Sequence, residues 1–123
     1  MGDTFNLSGN FTGANVNIKS TLTNVSQTIG ALPNTDDASK EETQRLIQEL
    51  HDALQKVSPE KVEDAQAVAD YAKDLVEIAK EDKPNKTKFR ITGEGLKEAA
   101  KSMAEIVPIA TNIVMAVAKL AGL

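Results

Sequence analysis

Residues 93–123, GEGLKEAAKSMAEIVPIATNIVMAVAKLAGL, are the stretch around which the rest of the chain is organised. Apolar side chains recur there at steps of three or four residues, the repeat that places them on one face of an α-helix. This face comprises Leu96, Ala99, Met103, Ile106, Ala110, Ile113, Val117 and Leu120. In the second half no charge occurs before Lys119, and the off-face positions Ile109, Met115 and Ala118 are also apolar. We therefore predict a helix over 94–121, with its second half buried on nearly all sides.

Three kinds of neighbour can cover this apolar half: other helices of the chain, copies of the same chain, or lipid. We expect the on-face residues Ile106, Ile113 and Val117 to be buried by the other helices. The off-face residues Ile109 and Met115 are predicted to lie at a seam between subunits, because the chain has few other apolar residues to cover them.

Lipid is the least favoured neighbour of the last helix. The span from Met103 to Leu123 has about the length that a bilayer requires. However, inserting a charge such as Glu105 near mid-span costs about 2.5 to 3.5 kcal/mol of insertion free energy. Each Ile or Val favours insertion by only about 0.3 to 0.6 kcal/mol. Pro108 removes a backbone hydrogen bond and is predicted to kink the helix.

Length and composition narrow the class of protein. At 123 residues the chain is expected to form one domain without a disulfide or a metal, and it contains no Cys. One Tyr, three Phe and no Trp leave few aromatic anchors for a ligand. A formal charge of −4 argues against nucleic acid as the main partner. The first fifteen residues hold no apolar run behind a positive region, so we expect no signal peptide and a cytoplasmic protein.

The first residues of the chain differ from the rest, because Phe5, Leu7 and Phe11 lie among Asn, Ser, Thr and Gly. The alternation of Phe5 and Leu7, with Gly9 able to take a positive φ, predicts two short strands around a turn. We therefore expect a β-like N-terminal arm over residues 1–14 and a helical bundle domain over 15–123. A hairpin this short is marginal in water and needs a surface to pack on.

Three further helices are predicted from periodic apolar stripes, at 15–32, 39–57 and 59–81. Proposed boundary signals are Gly30 and Pro33 at the end of the first, a capping box Ser39–x–x–Glu42 at the start of the second, and Ser58–Pro59 at the start of the third. Because so few residues separate the second and third helices, we expect them to form an antiparallel hairpin. The stripes comprise Ile18, Leu22, Val25, Ile29 and Leu32; Leu46, Leu50, Ala53 or Leu54, and Val57; and Val62, Ala65, Val68 or Ala69, Ala72, Leu75 or Val76, and Ala79.

The segment before the last helix is the only basic patch in the sequence. Lys86, Lys88 and Arg90 surround Phe89, and Phe89 and Ile91 alternate as in a strand. The more general interpretation is a solvated loop or an edge strand protected by charge. The more specific one is a contact for anionic lipid or for the acidic face of a partner.

The residues needed for catalysis are nearly absent. His51 is the only histidine; it follows the Leu50 stripe position on another face and is expected to be exposed to solvent. The acids are spread along helix faces in a way that solvation explains. Gly93 and Gly95 lack the third glycine of a phosphate-binding loop and are expected to permit the turn into the last helix. We predict no enzyme, no cofactor and no metal site.

The opening segment GDTFNLSGNFTGANVNI, residues 2–18, resembles the glycine- and asparagine-rich N-terminal segments of bacterial, notably cyanobacterial, conflict and signalling proteins. The resemblance covers about the first thirty residues. It implies a homotypic assembly motif, in some cases amyloid-like, joined to an effector or NTPase domain. The helical pattern with an apolar last helix is similar to that of small membrane-acting bundle effectors of the same systems.

These observations predict a mainly α fold, an antiparallel four-helix bundle with a short β-like N-terminal arm. The expected function is that of a non-enzymatic self-assembling or adaptor protein, a homo-oligomer or the partner of a larger protein. The assembly contacts are expected at Phe5, Leu7, Phe11, Ile109 and Met115, and lipid or acidic-partner contacts at Lys86, Lys88 and Arg90. The alternative is a membrane-active, pore-forming-like effector that inserts the C-terminal helix.

Overall fold

The computed structural model describes residues 2–32 and 36–123, with side chains described from residue 16 onward. Over this part the protein is mainly helical and contains no strand. Five α-helices follow one another, with a single 3₁₀ turn, Pro59–Lys61, before the third. The helices are α1 (Gly2–Gly30), α2 (Asp37–Leu54), α3 (Val62–Ala79), α4 (Lys86–Ala100) and α5 (Val107–Ala121). The mainly α prediction is confirmed, whereas the antiparallel four-helix bundle and the β-like arm are not.

Helix α1 occupies the segment for which strands were predicted. Its backbone is helical from Gly2, so the boundary predicted between residues 14 and 15 falls inside one helix. In the sequence, Leu7, Phe11, Ala14 and Ile18 step by four, three and four residues, which is the helical spacing that the rest of α1 also follows. The two-residue alternation of Phe5 and Leu7 extends over too few residues to outweigh this helical spacing.

Helix α2 begins at Asp37, two residues before the predicted start at residue 39, and its N-cap lies three residues before the Ser39 of the proposed capping box. Asp36 is the N-cap: its Oδ1 accepts a hydrogen bond from the backbone N–H of Ser39 at 2.7 Å, and its Oδ2 accepts one from the Ser39 hydroxyl at 3.0 Å. These bonds lower the pKa of the Asp36 carboxyl, and the Lys119 ammonium adds to the effect. Ser39 thus lies in the first turn of the helix instead of capping it.

The residues before the predicted last helix are helical as well. Asn85 caps α4 by accepting a hydrogen bond from the backbone N–H of Lys88 at 2.9 Å. The strand predicted near Phe89 and Ile91 is therefore wrong: Phe89 is buried whereas Ile91 is 59% exposed. The buried residues of α4 step by four, three and four, through Phe89, Gly93, Leu96 and Ala100. One of these positions is a glycine, which conceals the helical stripe in the sequence.

The predicted helix over 94–121 is two helices separated by a turn between Ala100 and Val107. Pro108 lies in the first turn of α5 and does not kink a continuous rod. A proline is tolerated there because an N–H in the first turn has no helical acceptor in any case. The turn residues Met103 and Ile106 are still buried. The predicted apolar face is therefore buried on both sides of the turn and within it.

The predicted core is largely correct. The α1 stripe from Ile18 to Leu32 is buried throughout, as are Ile106, Ile113 and Val117. In α2 the buried stripe is Thr43, Ile47, Leu50 and Leu54, with Leu46 only half-buried. Alanine lines much of α3, where Ala65, Ala69 and Ala72 are fully buried. Small side chains there allow neighbouring helices to approach closely.

Contacts between named residues define the direction of each helix. Lys40 Nζ donates to the Gly30 carbonyl at 3.3 Å and Gln44 Nε2 to the Ser26 carbonyl at 2.9 Å, so α1 and α2 are antiparallel. The C-terminal ends of α1, α3 and α5 line one cavity of about 520 Å³, through Leu32, Ala79 and Leu120. These three helices therefore run in the same direction. The Ser102 hydroxyl of the turn after α4 donates to Asp64 at the start of α3, so α4 runs opposite to α3, and the direction alternates from each helix to the next.

The packing partners differ from those predicted for the second and third helices. Helix α1 packs against α2 and α3, and α5 packs against α2, α3 and α4. Helix α4 packs on α3 as well, whereas α2 and α3 do not form a main packed pair within the described residues. The predicted α2–α3 hairpin is therefore wrong, because α1 and α5 separate the two helices.

Candidate functional site

The outward face of α5 carries few apolar side chains. Its exposed positions are Pro108, Asn112, Met115 and Lys119, which follow one another at steps of four, three and four. Met115 is 64% exposed, but the other predicted seam residue, Ile109, is half-buried and packs against the chain's own core. The chain thus covers more of the off-face positions than the sequence indicated, and only Met115 stands out to solvent.

The predicted assembly residues Phe5, Leu7 and Phe11 lie outside the described side chains, but their position in α1 can be compared with the length of α2. The contacts of Lys40 with Gly30 and of Gln44 with Ser26 define a constant register between the two helices. Continued by the same steps, this register brings Leu54, the last residue of α2, level with Val16. Helix α2 is therefore too short to flank the first half of the 29-residue α1.

The basic residues Lys86, Lys88 and Arg90 lie in the first two turns of α4 and are all exposed. Within the described part of the chain, none of them forms an ion pair. The first turn of α4 contains no acid. The N-terminal end of a helix dipole is itself positive, and these cations add to its charge.

Gly93 and Gly95 have a different role from the one predicted. Both lie inside α4, and a Cβ on Gly93 would come within 3.1 Å of Val114 Cγ1 on α5. A Cβ on Gly95 would come within 2.6 Å of the Tyr71 ring on α3. The two glycines therefore allow α4 to pack closely on its neighbours, and no turn or anion loop occurs at their position.

His51 is less exposed than predicted. Its side chain is 21% exposed, and its Nε2 is covered without a hydrogen-bond partner among the described residues. Its Nδ1 lies 3.4 Å from Asp52 Oδ1. His51 lines a groove of about 420 Å³ between α1 and α2, together with Lys19, Thr23 and Gln48. Glutamine amides and hydroxyls dominate the groove, and its lining residues include no carboxylate.

The described residues lack the features of a metal centre and of a membrane span. They contain no group of three or more His, Asp or Glu side chains that could hold a metal ion. None of their helices combines the length and the apolar character needed to cross a bilayer.

No protein-family model matches this chain, and no curated protein or solved structure is significantly similar to it. The similarity of residues 2–18 to assembly segments of bacterial conflict proteins therefore stays a hypothesis about this segment.

Proposed function

We propose that the protein is a non-enzymatic assembly or adaptor protein that acts through homotypic contacts of the first half of α1. The observation that carries this proposal is the mismatch in helix length: α1 has 29 residues, whereas α2 has 18 and ends level with Val16. Helix α3 also has 18 residues and ends at the same end of the molecule as α1.

The composition of this segment supports a contact with another molecule. Residues 2–15 include three glycines and many Asn, Ser and Thr residues, all of which lower helix stability relative to Ala. A helix of about 14 residues with this composition is not stable alone in water. The apolar residues Phe5, Leu7 and Phe11 are the groups that contact with a second copy would bury. Val16, where α2 ends, is already 56% exposed.

Helix α5 has a smaller role in this proposal than the sequence indicated. Met115 is the one exposed large apolar side chain on α5, and isolated apolar side chains are common on protein surfaces. We therefore place the assembly contact in α1 and treat Met115 as a peripheral contact. The packing of α1, α2, α3 and α5 supports a four-helix core to which α4 is added.

The proposal is tested by light scattering after size exclusion, over a hundredfold range of protein concentration and at about 0.3 M salt to screen charge contacts. The full chain should increase in mass with concentration. The triple variant Phe5→Ser, Leu7→Ser, Phe11→Ser should remain a monomer with a cooperative unfolding transition. Met115→Ser is the matched control, because it removes an exposed apolar group outside α1 and should leave association largely unchanged.

Two results would overturn the assembly proposal. One is a full chain that remains a monomer over the whole concentration range. The other is release of dye from vesicles of anionic lipid by the full chain, which would favour the alternative, a membrane-active helical effector.

A further inference from the structure

The solvent-facing side of α1 carries almost no charge. Of the eight exposed residues in its described part, only Lys19 is charged, whereas six of the eight exposed residues of α2 are charged. Depletion of charge is typical of the core of a protein interface and not of a solvated helix face. The exposed residues of α1 are Val16, Asn17, Lys19, Ser20, Thr23, Asn24, Gln27 and Gly30. The charged exposed residues of α2 are Asp37, Glu41, Glu42, Arg45, Glu49 and Asp52.

The exposed polar groups of α1 can pair with an identical surface. The half-buried Thr21 and Thr28 donate to carbonyls of α1 itself. The side chains of Ser20, Thr23 and Gln27 form no hydrogen bond with another described residue. Amides and hydroxyls each carry both donors and acceptors, so two copies of such a surface can satisfy one another. Two copies of a surface rich in carboxylates would instead repel each other.

The middle of this side is a single line of residues, which we call the outer line: Val16, Ser20, Thr23 and Gln27. They follow one another at steps of four, three and four, on the side opposite the buried stripe that begins at Ile18. In the sequence, steps of three and four continue this line toward the N-terminus through Gly13, Gly9 and Phe5. Leu7 and Phe11 instead step with Ile18, so Phe5 is the predicted assembly residue that shares the spacing of the outer line.

Val16 marks the midpoint of α1. The helix runs from Gly2 to Gly30, which leaves residues 2–15 and 17–30 as two halves of equal length. Val16 is 56% exposed, and α2 ends level with it. An antiparallel partner helix centred on Val16 therefore brings the first half of one α1 against the second half of the other.

We infer that two copies of this chain pair through antiparallel α1 helices about a two-fold axis at Val16. The first half of α1 in each copy covers the outer line in the second half of the other. This inference rests on the proposed function, because it names the surface that receives the first half of α1. The axis brings the two Val16 residues together and places Gly9 of one copy level with Thr23 of the other. A glycine without a Cβ lets the facing helix approach closely at that level.

Charge and length both favour a second copy as the occupant. Helix α1 contains one acid, Asp3, and one base, Lys19, so two α1 helices meet without the repulsion that the formal charge of −4 would otherwise cause. Pairing along all 29 residues gives a contact about 43 Å long, about twice that available to the first halves alone. The greater length increases the buried area, which is small in weak contacts.

The two helical cores do not obstruct this pairing. Helix α2 flanks only the second half of its own α1, and the buried stripe faces away from the outer line. The two cores therefore lie at opposite ends and on opposite sides of the helix pair. The contact uses the same surface of both copies and closes as a dimer, as an isologous interface requires.

Single introduced thiols test the register, because the chain contains no cysteine. Val16→Cys should form an intermolecular disulfide under mild oxidation, since thiols at a two-fold axis come within disulfide reach. Thr23→Cys should not, because the two Thr23 residues are about 21 Å apart along an antiparallel pair. Met115→Cys, exposed on α5, is the control for random collision. Cross-linking of Val16→Cys no faster than Met115→Cys would contradict the inference. Equal cross-linking of Val16→Cys and Thr23→Cys would indicate parallel helices and would also contradict it.

A charge on the outer line tests the surface itself. Thr23→Glu should weaken association about tenfold or more in light scattering at about 0.3 M salt, because the contact would bury an unpaired carboxylate. The monomer should remain folded, since residue 23 is exposed and Glu is a better helix former than Thr. Thr87→Glu, at an exposed position of α4, is the matched control and should associate as the native chain does. Equal association of both variants would overturn the inference.

The variant with Phe5→Ser, Leu7→Ser and Phe11→Ser separates this inference from the proposed function. If it is a monomer while Thr23→Glu associates normally, the first half of α1 assembles on another surface; the inference then fails and the proposed function stands. If Thr23→Glu dissociates while the triple variant still associates, the first half is not a contact, and the proposed function fails together with the inferred role of that half. A full chain that remains a monomer overturns both.

Discussion

The aromatic ring of Tyr71 on α3 lies directly over the backbone of Gly95 on α4, where a Cβ would be only 2.6 Å from Tyr71 Cε1. Such a distance is far below van der Waals contact, so any larger residue at this position must displace the ring. The contact fixes the spacing and the register of α3 and α4, which bring Lys88 into one groove with Glu77.

Gly95→Ala is predicted to lower the free energy of unfolding by about 1 to 3 kcal/mol, the usual range for overpacking. In a Tyr71→Ala background the same substitution should instead stabilise the protein by about 0.5 to 1 kcal/mol, since Ala is favoured over Gly inside a helix. Urea denaturation of the four proteins measures this double-mutant cycle. The same effect of Gly95→Ala in both backgrounds would show that Tyr71 does not restrict the site.

Ile113→Asp is predicted to unfold the monomer. Ile113 is fully buried in the core, and burial of an unpaired carboxylate costs on the order of 4 kcal/mol or more, comparable with the stability of a small domain. Circular dichroism should show loss of helix at 25 °C. Met115→Asp, on the exposed face of the same helix, is the control and should change stability by about 0.5 kcal/mol or less. Retained helix in Ile113→Asp, with loss of an oligomer, would instead place Ile113 at a subunit seam.

The Asp36 cap predicts a specific dependence of stability on pH. Hydrogen bonds from Ser39, and the charge of Lys119, hold the pKa of Asp36 below its ordinary value in the folded protein. A group with a lowered folded pKa stabilises the fold above its unfolded pKa, and this contribution is lost as pH falls through the folded value.

Asp36→Asn is the matched variant, because Asn also caps helices but does not titrate. The Tm advantage of the native chain over this variant should be constant above about pH 5 and should disappear as pH falls below about 4. Thermal unfolding followed by circular dichroism measures both proteins over this range. A Tm difference that does not change between pH 6 and pH 2.5 would show that the carboxylate charge plays no part in the cap.

Gly122→Ala is predicted to destabilise the end of α5. Gly122 has a φ of 73°, the left-handed conformation that ends many helices, and a Cβ there costs about 1 kcal/mol. Gly122→Asn should destabilise the end of α5 less than Gly122→Ala, because Asn tolerates this conformation better than Ala does. Hydrogen exchange of the last turn of α5 measures the difference. Equal exchange in Ala and Asn variants would indicate that the left-handed cap does not limit local stability.

The sequence alone determined the helical class of the protein and most of its buried residues. The three- and four-residue steps from Ile18 to Leu32, and those through Ile106, Ile113 and Val117, identify the buried faces because burial on a helix follows its own local repeat. Similar steps were missed in α4, where a glycine occupies one buried position, and in the first half of α1, where a short alternation favoured strands.

Only the tertiary structure decided which surfaces each face meets. The partial burial of Ile109, the coverage of His51 Nε2 and the separation of α2 from α3 all depend on the order in which the helices pack. The placement of Lys88 on α4 beside Glu77 on α3 depends on the approach of Tyr71 to Gly95, residues 24 positions apart by their numbers. A local repeat specifies which side of a helix is apolar. It does not specify the neighbour that covers it, because that depends on how all five helices fill the same core volume.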